Sequence, residues 1–127
     1  MSQVDIVLID NPSLKGREDK YETVDINLSA VLQSWKISLF SFEWLLPDGN
    51  IRSESQLPEA EQRKYKVVLE AYQNGQELER PILGIGIMDN IEIGSRRDVL
   101  LTLYSQGIRN LSVHIPINAR EDFTPYL

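Results

Sequence analysis

The segment RPILGIGIMDNIEIGSRRDVLLTLYSQGIRNLSVHI, residues 80–115, decides the fold predicted for this chain. Alternating apolar residues at 81–87, a turn at 88–90 and a second apolar run at 91–93 predict a β-hairpin. Apolar residues at helical spacing from 99 to 104 predict an amphipathic helix that ends at Gly107. Alternation from 111 to 115 predicts a closing strand that Pro116 stops.

Four further elements are predicted before this segment. The apolar run at 4–9 predicts a strand, and residues 23–32 predict a strand that leads into a helical turn. Residues 35–46 are rich in aromatic and branched side chains and are bounded by Pro-Asp-Gly-Asn, which predicts a buried strand followed by a turn. Residues 58–75 combine an acidic first turn with helically spaced apolar residues, so they predict a helix that Gly75 ends.

These elements predict a single α+β domain over residues 1–127, with a small mixed sheet and two main helices. Residues 1–49 form an N-terminal β-rich elaboration, residues 50–116 the core, and residues 117–127 a polar tail with few apolar anchors. A chain of 127 residues, 42% hydrophobic and 25% charged, has the length and composition of one ordinary globular domain.

The formal net charge of −6 argues against a broadly basic nucleic-acid-binding surface, because non-specific DNA affinity comes mainly from Lys and Arg. Any phosphate binding must therefore be local. The sequence contains no cysteine, which excludes disulfides and thiolate chemistry. A signal peptide is not recognisable, and no apolar run approaches the roughly 20 residues that span a bilayer, so we expect a cytoplasmic protein without a membrane partner.

The Gly94-Ser95-Arg96-Arg97 corner carries the only conspicuous chemistry. A helix N-terminus presents free backbone N–H groups and the positive end of the helix dipole, and guanidinium forks match phosphate geometry. Ser95 is the predicted N-cap, with Asp98 in the capping-box position. The alternative is an ordinary capped helix whose arginines pair with neighbours such as Asp98.

Other chemistry-bearing residues are weaker candidates. His114 is the only histidine, which excludes a multi-histidine metal site within one chain and favours a surface or hydrogen-bonded structural role. The carboxylates that flank the corner, Asp89, Glu92 and Asp98, are candidates to hold a divalent metal together with a nucleotide, although spacing does not choose them over solvent-facing charges. Aromatic residues at 35–44 form either a base-stacking platform or, in the favoured interpretation, part of the core.

The order strand, hairpin, Gly-x-Arg-Arg, helix, Gly, strand resembles the N-terminal domain of ParB proteins, in the ParB/sulfiredoxin superfamily. The resemblance covers residues 50–115 and is carried by Asn50-Ile51-Arg52, Pro81-Ile82-Leu83, Gly94 to Arg97, and Gly107. That family includes CTP-dependent partition proteins and nuclease-like relatives. The resemblance implies a ParB/sulfiredoxin-like fold with a phosphate- or nucleotide-binding cleft. It assigns phosphate contact to Gly94, Ser95, Arg96, Arg97 and Arg52, and cleft contact to Pro81.

This chain departs from the family pattern at several positions. Ser95 occupies the position at which the sulfiredoxin branch needs cysteine, and this difference excludes peroxiredoxin repair. In the partition branch the same position is Glu. Arg80 replaces the usual Gln before Pro-Ile. The chain ends soon after Pro116, without the partition branch's helix-turn-helix, so sequence-specific partition-site binding is not expected. The sequence therefore predicts binding of a nucleotide or nucleic-acid phosphate, with weak nuclease or nucleotidase activity as an open question. The alternative is a non-catalytic protein-interaction or regulatory module on the same scaffold.

Overall fold

The computed structural model describes residues 5–127. Within these residues, short 3-10 turns join three α-helices and six β-strands. The strands are β1 (Val7–Ile9), β2 (Tyr21–Asn27), β3 (Glu77–Glu79), β4 (Ile82–Ile85), β5 (Ile91–Ser95) and β6 (Asn110–Pro116). The helices are α1 (Leu28–Trp35), α2 (Glu59–Gln73) and α3 (Arg97–Ser105). The predicted α+β class is confirmed; Val4, the start of the first predicted strand, lies outside the described residues.

The main sheet has four strands in the order β2-β6-β4-β5, so the last strand along the chain lies between earlier ones. β2 pairs antiparallel with β6 over its whole length, and β4 and β5 form the predicted hairpin. β4 and β6 are parallel neighbours that meet at Ile82 and His114. A separate two-stranded sheet pairs β1 with β3 in parallel. The prediction of a mixed sheet is thus correct.

One cluster of buried side chains connects the sheet to all three helices. α2 and α3 pack against each other, and Tyr65 and Val68 provide the buried face of α2. The hydroxyl of Tyr65 accepts a hydrogen bond from Gln106 Nε2 at 3.0 Å. The ring of Tyr65 lies 6.4 Å from that of Trp44, centroid to centroid. These contacts fix the end of α3 against α2 and thereby hold the corner at the start of α3.

The N-terminal residues are integrated into the sheet. β2 is one of the strands of the main sheet, and Asn27 caps α1 by accepting a hydrogen bond from the Ala30 amide at 3.0 Å. The predicted strand that leads into a helix is therefore confirmed at 21–35. The description of residues 1–49 as β-rich is wrong for the described part, because α1 and 3-10 turns make up much of it.

The predicted buried strand at 35–46 does not form. Trp35, Trp44 and Leu45 are buried, but the residues between them form turns and expose most of their apolar side chains. The hydroxyl of Ser41 donates to the carbonyl oxygens of Ser38 at 2.9 Å and Lys36 at 3.1 Å. Serine hydroxyls that bond nearby backbone groups stabilise turns in competition with strand pairing.

The predicted polar tail is ordered and packed. Residues Ile117–Tyr126 form 3-10 turns, and the ring of Phe123 is completely buried in the core. The hydroxyl of Tyr126 donates to Ser34 Oγ at 3.2 Å, which joins the C-terminal segment to α1. The prediction underestimated the contribution of these two aromatic residues to packing. Burial of one phenylalanine side chain stabilises the folded state by about 1.5–3 kcal/mol.

Candidate anion-binding site

The corner between β5 and α3 has an unusual backbone. Ser95 is the last residue of β5, where it pairs with Ile82 beside a register shift in the hairpin. Arg96 follows with φ of 57° and ψ of 44°, the left-handed region, and α3 begins at Arg97. A side chain other than glycine in this region costs roughly 1–2 kcal/mol. Such strain is commonly found at functional sites.

The predicted cap at Ser95 is wrong. Arg96 is the N-cap residue of α3 and forms no side-chain capping hydrogen bond. The hydroxyl of Ser95 instead accepts a hydrogen bond from Asn11 Nδ2 at 3.0 Å, and Asp98 accepts from the Val99 amide at 3.0 Å. Ser95 pairs within the strand, so it cannot turn its hydroxyl to the helix. The first turn of α3 therefore starts without a cap from its N-cap side chain.

Gly94, Ser95, Arg96 and Arg97 line one open depression of about 290 Å³. The other lining residues, from β5, α2 and α3, are Ile93, Glu61, Lys64 and Asp98. The structure thus brings the four predicted corner residues together and adds Lys64.

Carboxylates lie near every cation of the depression. Arg96 approaches Asp98 at 3.4 Å and Glu79 at 3.9 Å, and Lys64 approaches Glu61 at 3.3 Å. Charge-assisted hydrogen bonds of this kind are normally about 2.7–2.9 Å long. Partly exposed ion pairs contribute only about 0–1 kcal/mol. In formal charge, the three carboxylates of these pairs offset the three cations of the depression, although the contacts are too long to occupy the guanidinium groups firmly.

Arg97 is directed toward the turn that follows α1. Its guanidinium carbon lies 5.3 Å from the ring centroid of Phe40 and 5.6 Å from that of Trp35. Its Nη1 is 4.0 Å from a carboxylate oxygen of Glu43. Among residues 5–127, the buried Nε groups of Arg97 and Arg96 have no hydrogen-bond partner. Both side chains therefore retain an unused N–H donor.

Arg52 and Pro81 occupy other places. The Nε of Arg52 donates to the Phe42 carbonyl at 2.9 Å, and its side chain lines a different depression, of about 330 Å³. Pro81 is buried, and its carbonyl accepts from the His114 amide at 2.9 Å. The structure does not bring either residue to the depression at Gly94–Arg97.

The carboxylates considered for a metal are dispersed. Asp89 lies at the tip of the β4–β5 hairpin with φ of 59°, Glu92 lies along β5, and Asp98 pairs with Arg96. In the part of the chain that the structure describes, no group of three or more His, Cys, Asp or Glu side chains is arranged to hold a metal ion.

His114 forms a second polar cluster, in which its ring is buried and hydrogen-bonded. The Nε2 atom accepts from the Asn11 amide at 3.1 Å, so the neutral ring carries its proton on Nδ1, which lies 3.2 Å from Thr23 Oγ1. Burial lowers the pKa of His114 below its ordinary value of 6.5, with a smaller raising effect of Asp10 and a lowering effect of Arg80. A neutral ring makes no ion pair with Asp10, although the two side chains approach to 3.9 Å. The predicted structural role is consistent with these contacts.

A solvent-exposed apolar surface was missed by the sequence interpretation, which placed most of its residues in a buried strand. We use the name apolar surface for six side chains, each more than half exposed: Ile37, Leu39, Phe40, Phe42, Ile87 and Met88. Two segments form it, the turn after α1 and the tip of the β4–β5 hairpin. A groove of about 280 Å³ lies between them. The serines at 34, 38 and 41, which favour turns, were the available signal.

Comparison of the chain with family models, with curated proteins and with solved structures gives no match. Within residues 5–127 no helix has the length and apolar character needed to cross a membrane.

Proposed function

We propose that this protein binds a nucleotide or nucleic-acid phosphate in the depression at Gly94–Arg97. The observation that carries the proposal is the start of α3, where the left-handed Arg96 makes no capping hydrogen bond and where, within residues 5–127, the buried Nε groups of Arg96 and Arg97 have no partner. Backbone N–H groups at a helix N-terminus and guanidinium forks both favour phosphate oxygens. The resemblance to the ParB/sulfiredoxin superfamily, itself a proposal, implies the same ligand class at the same residues.

The nearby carboxylates do not prevent such binding. A hydrogen bond to a charged group contributes about 1.5–3 kcal/mol, whereas a partly exposed ion pair contributes about 0–1 kcal/mol. A phosphate that bonds Arg96 therefore gains more than it loses by displacing the contacts at 3.4 and 3.9 Å to Asp98 and Glu79. A phosphate would be held here by local hydrogen bonds, since the net charge of −6 supplies no long-range attraction for anions.

The first experiment measures binding of nucleoside triphosphates and of single- and double-stranded DNA, with and without divalent metals, by thermal shift and titration calorimetry. A ligand at 100 times its dissociation constant stabilises the fold by about 2.7 kcal/mol. Arg97→Ala removes one charge-assisted contact, so affinity should fall about tenfold to a hundredfold, equivalent to about 1.5–3 kcal/mol. Arg52→Ala serves as the matched control, because Arg52 lies in a separate depression. The ligand affinity of this variant should equal that of the wild type.

Two outcomes would contradict the proposal: a wild-type protein that binds none of these ligands, or an Arg97→Ala variant of unchanged affinity. Equal losses in Arg52→Ala and Arg97→Ala would move the binding site away from the depression. Hydrolysis of the bound nucleotide or DNA in the same samples tests the predicted nuclease or nucleotidase activity. We would assign such hydrolytic activity to this site only if Arg97→Ala lowers both the activity and the ligand affinity.

The second candidate function is protein interaction, with the scaffold acting as a non-catalytic module. It is favoured by the apolar surface, because large apolar patches on protein surfaces commonly mark interaction sites. Leu39, which is 86% exposed, contributes little to the core of its own chain. Leu39→Glu should abolish a protein contact and leave phosphate binding unchanged. Arg97→Ala should weaken phosphate binding and leave the protein contact unchanged, so the two variants separate the functions.

A further inference from the structure

We infer that the apolar surface binds a second copy of this chain in a two-fold symmetric dimer. The inference rests on the protein-interaction candidate and is independent of phosphate binding. It begins with the hairpin tip, where Ile87 and Met88 occupy the centre of a turn closed by a hydrogen bond from the Asp89 amide to the Gly86 carbonyl at 3.0 Å. Turn centres are normally Gly, Pro, Asn, Asp or Ser. Apolar residues there are not required by the turn.

The groove between the two segments is shaped by Gly86. A Cβ at this position would lie 2.9 Å from the Cγ of Glu92, so glycine allows the Glu92 side chain to lie across the hairpin. Glu92 lines the groove together with apolar residues of both segments. The hairpin side of the apolar surface therefore has an acidic edge, made by Glu92 and the neighbouring exposed Asp89.

The opposite side of the apolar surface has a basic edge. Lys36 and Arg52 line the depression that also includes the exposed ring of Phe42, and with Asp48 as its one carboxylate this edge has a net positive charge. A two-fold axis through the middle of the surface places the basic edge of one copy against the acidic edge of the other, twice. This self-complementary arrangement is what an isologous interface requires. A partner of uniform charge would match only one of the two edges.

The size of the surface is also adequate. Six large apolar side chains, each more than half exposed, present several hundred Å² of apolar area. A standard interface uses about 800 Å² from each partner, and its centre is apolar with a charged rim. The apolar surface and its two charged edges have this organisation.

The test measures the mass of the whole chain in solution by sedimentation velocity over a concentration series. Wild type should reach twice the monomer mass of 14.6 kDa. Leu39→Glu places a charge at the centre of the interface and should remain monomeric with an unchanged circular dichroism spectrum. Val67→Glu, the same type of change at a 67% exposed valine of α2, should dimerise as wild type does.

A charge exchange tests the two-fold arrangement directly. Lys36→Glu and Glu92→Lys should each raise the dimer dissociation constant about tenfold or more, because each creates two like-charge contacts. An equimolar mixture of the two variants should recover the wild-type constant, since the heterodimer has both contacts restored with opposite charges. Lys15→Glu and Glu121→Lys, at exposed positions away from the surface, are controls for net charge and should behave as wild type.

A wild type that stays monomeric at all concentrations would overturn the dimer and leave the phosphate-binding proposal standing, as the binding assay would show. A Leu39→Glu variant that dimerises normally would also overturn it, because the interface would then lie elsewhere. Failure of the mixed charge variants to recover dimerisation would overturn the symmetric pairing of the two edges.

Discussion

The His114 cluster and the Arg96–Arg97 corner are both polar sites beside the sheet, but they differ in how completely their donors and acceptors are used. Both ring nitrogens of His114 have partners, at 3.1 and 3.2 Å. Both arginine Nε groups are without partners within residues 5–127, and the backbone at Arg96 is strained. A satisfied buried cluster stabilises the fold, whereas buried donors without a partner cost stability and are uncommon in native structures, so they call for another explanation. The comparison therefore favours a structural role for His114 and supports the proposal of ligand binding at the corner.

The largest expected effect is on stability, at His114. His114→Ala leaves the buried Asn11 amide without its partner, which costs about 1–3 kcal/mol, whereas the hydroxyl of the exposed Thr23 can bond water instead. The free energy of unfolding, measured with urea, should fall by about 1–3 kcal/mol, while phosphate affinity stays unchanged. Thr102→Val is the matched control, because the buried Thr102 hydroxyl has no partner in residues 5–127 and its loss should not destabilise. A loss below about 1 kcal/mol in His114→Ala would contradict the structural role.

A smaller effect of opposite sign is expected at Arg96. Arg96→Gly removes the cost of the left-handed backbone, which stabilises the folded protein by roughly 1–2 kcal/mol. The greater freedom of glycine in the unfolded chain lowers this gain by about 0.5–1 kcal/mol. The free energy of unfolding should therefore rise by about 0.5–1 kcal/mol while phosphate affinity falls. Arg97→Gly, at the first residue of α3, has no left-handed backbone to relieve and should instead destabilise by about 0.5–1 kcal/mol. Destabilisation of both variants would remove the evidence for strain at the corner.

The smallest effect is a pH dependence that separates the two clusters. The pKa of His114 is lowered in the folded protein, so between that value and 6.5 the unfolded chain binds more protons. The contribution of His114 to stability is complete above 6.5 and declines as the pH falls through the folded pKa. His114 is the only histidine of the sequence, so His114→Ala should lack this component of the pH profile. Identical profiles of variant and wild type would contradict the neutral buried ring.

The sequence was sufficient for the elements with strong periodicity. The β4–β5 hairpin, α2, α3 and β6 follow from apolar spacing and from glycine and proline punctuation. It was insufficient where local hydrogen bonds opposed the apolar pattern, as in the turn after α1, where Ser41 bonds backbone carbonyls. It also could not reveal that Ser95 bonds Asn11, because that contact joins residues 84 positions apart. The corner residues 94–97 could be grouped into one site because they are adjacent in sequence. That Lys64 lies beside them and Arg52 does not could be seen only in the tertiary structure.

The central position of β6 has a consequence for the order of folding. β2 finds its only partner in the main sheet within residues 5–127 at 110–116, so its backbone stays unpaired there until residue 116 has been synthesised. The hydrogen bond from the Asn11 amide to His114 likewise joins residues that are 103 positions apart. Contacts of such long sequence separation slow folding, because loop closure must precede them. Until β6 inserts, β2 and β4 each keep an unpaired edge, and the Asn11–His114 contact cannot form.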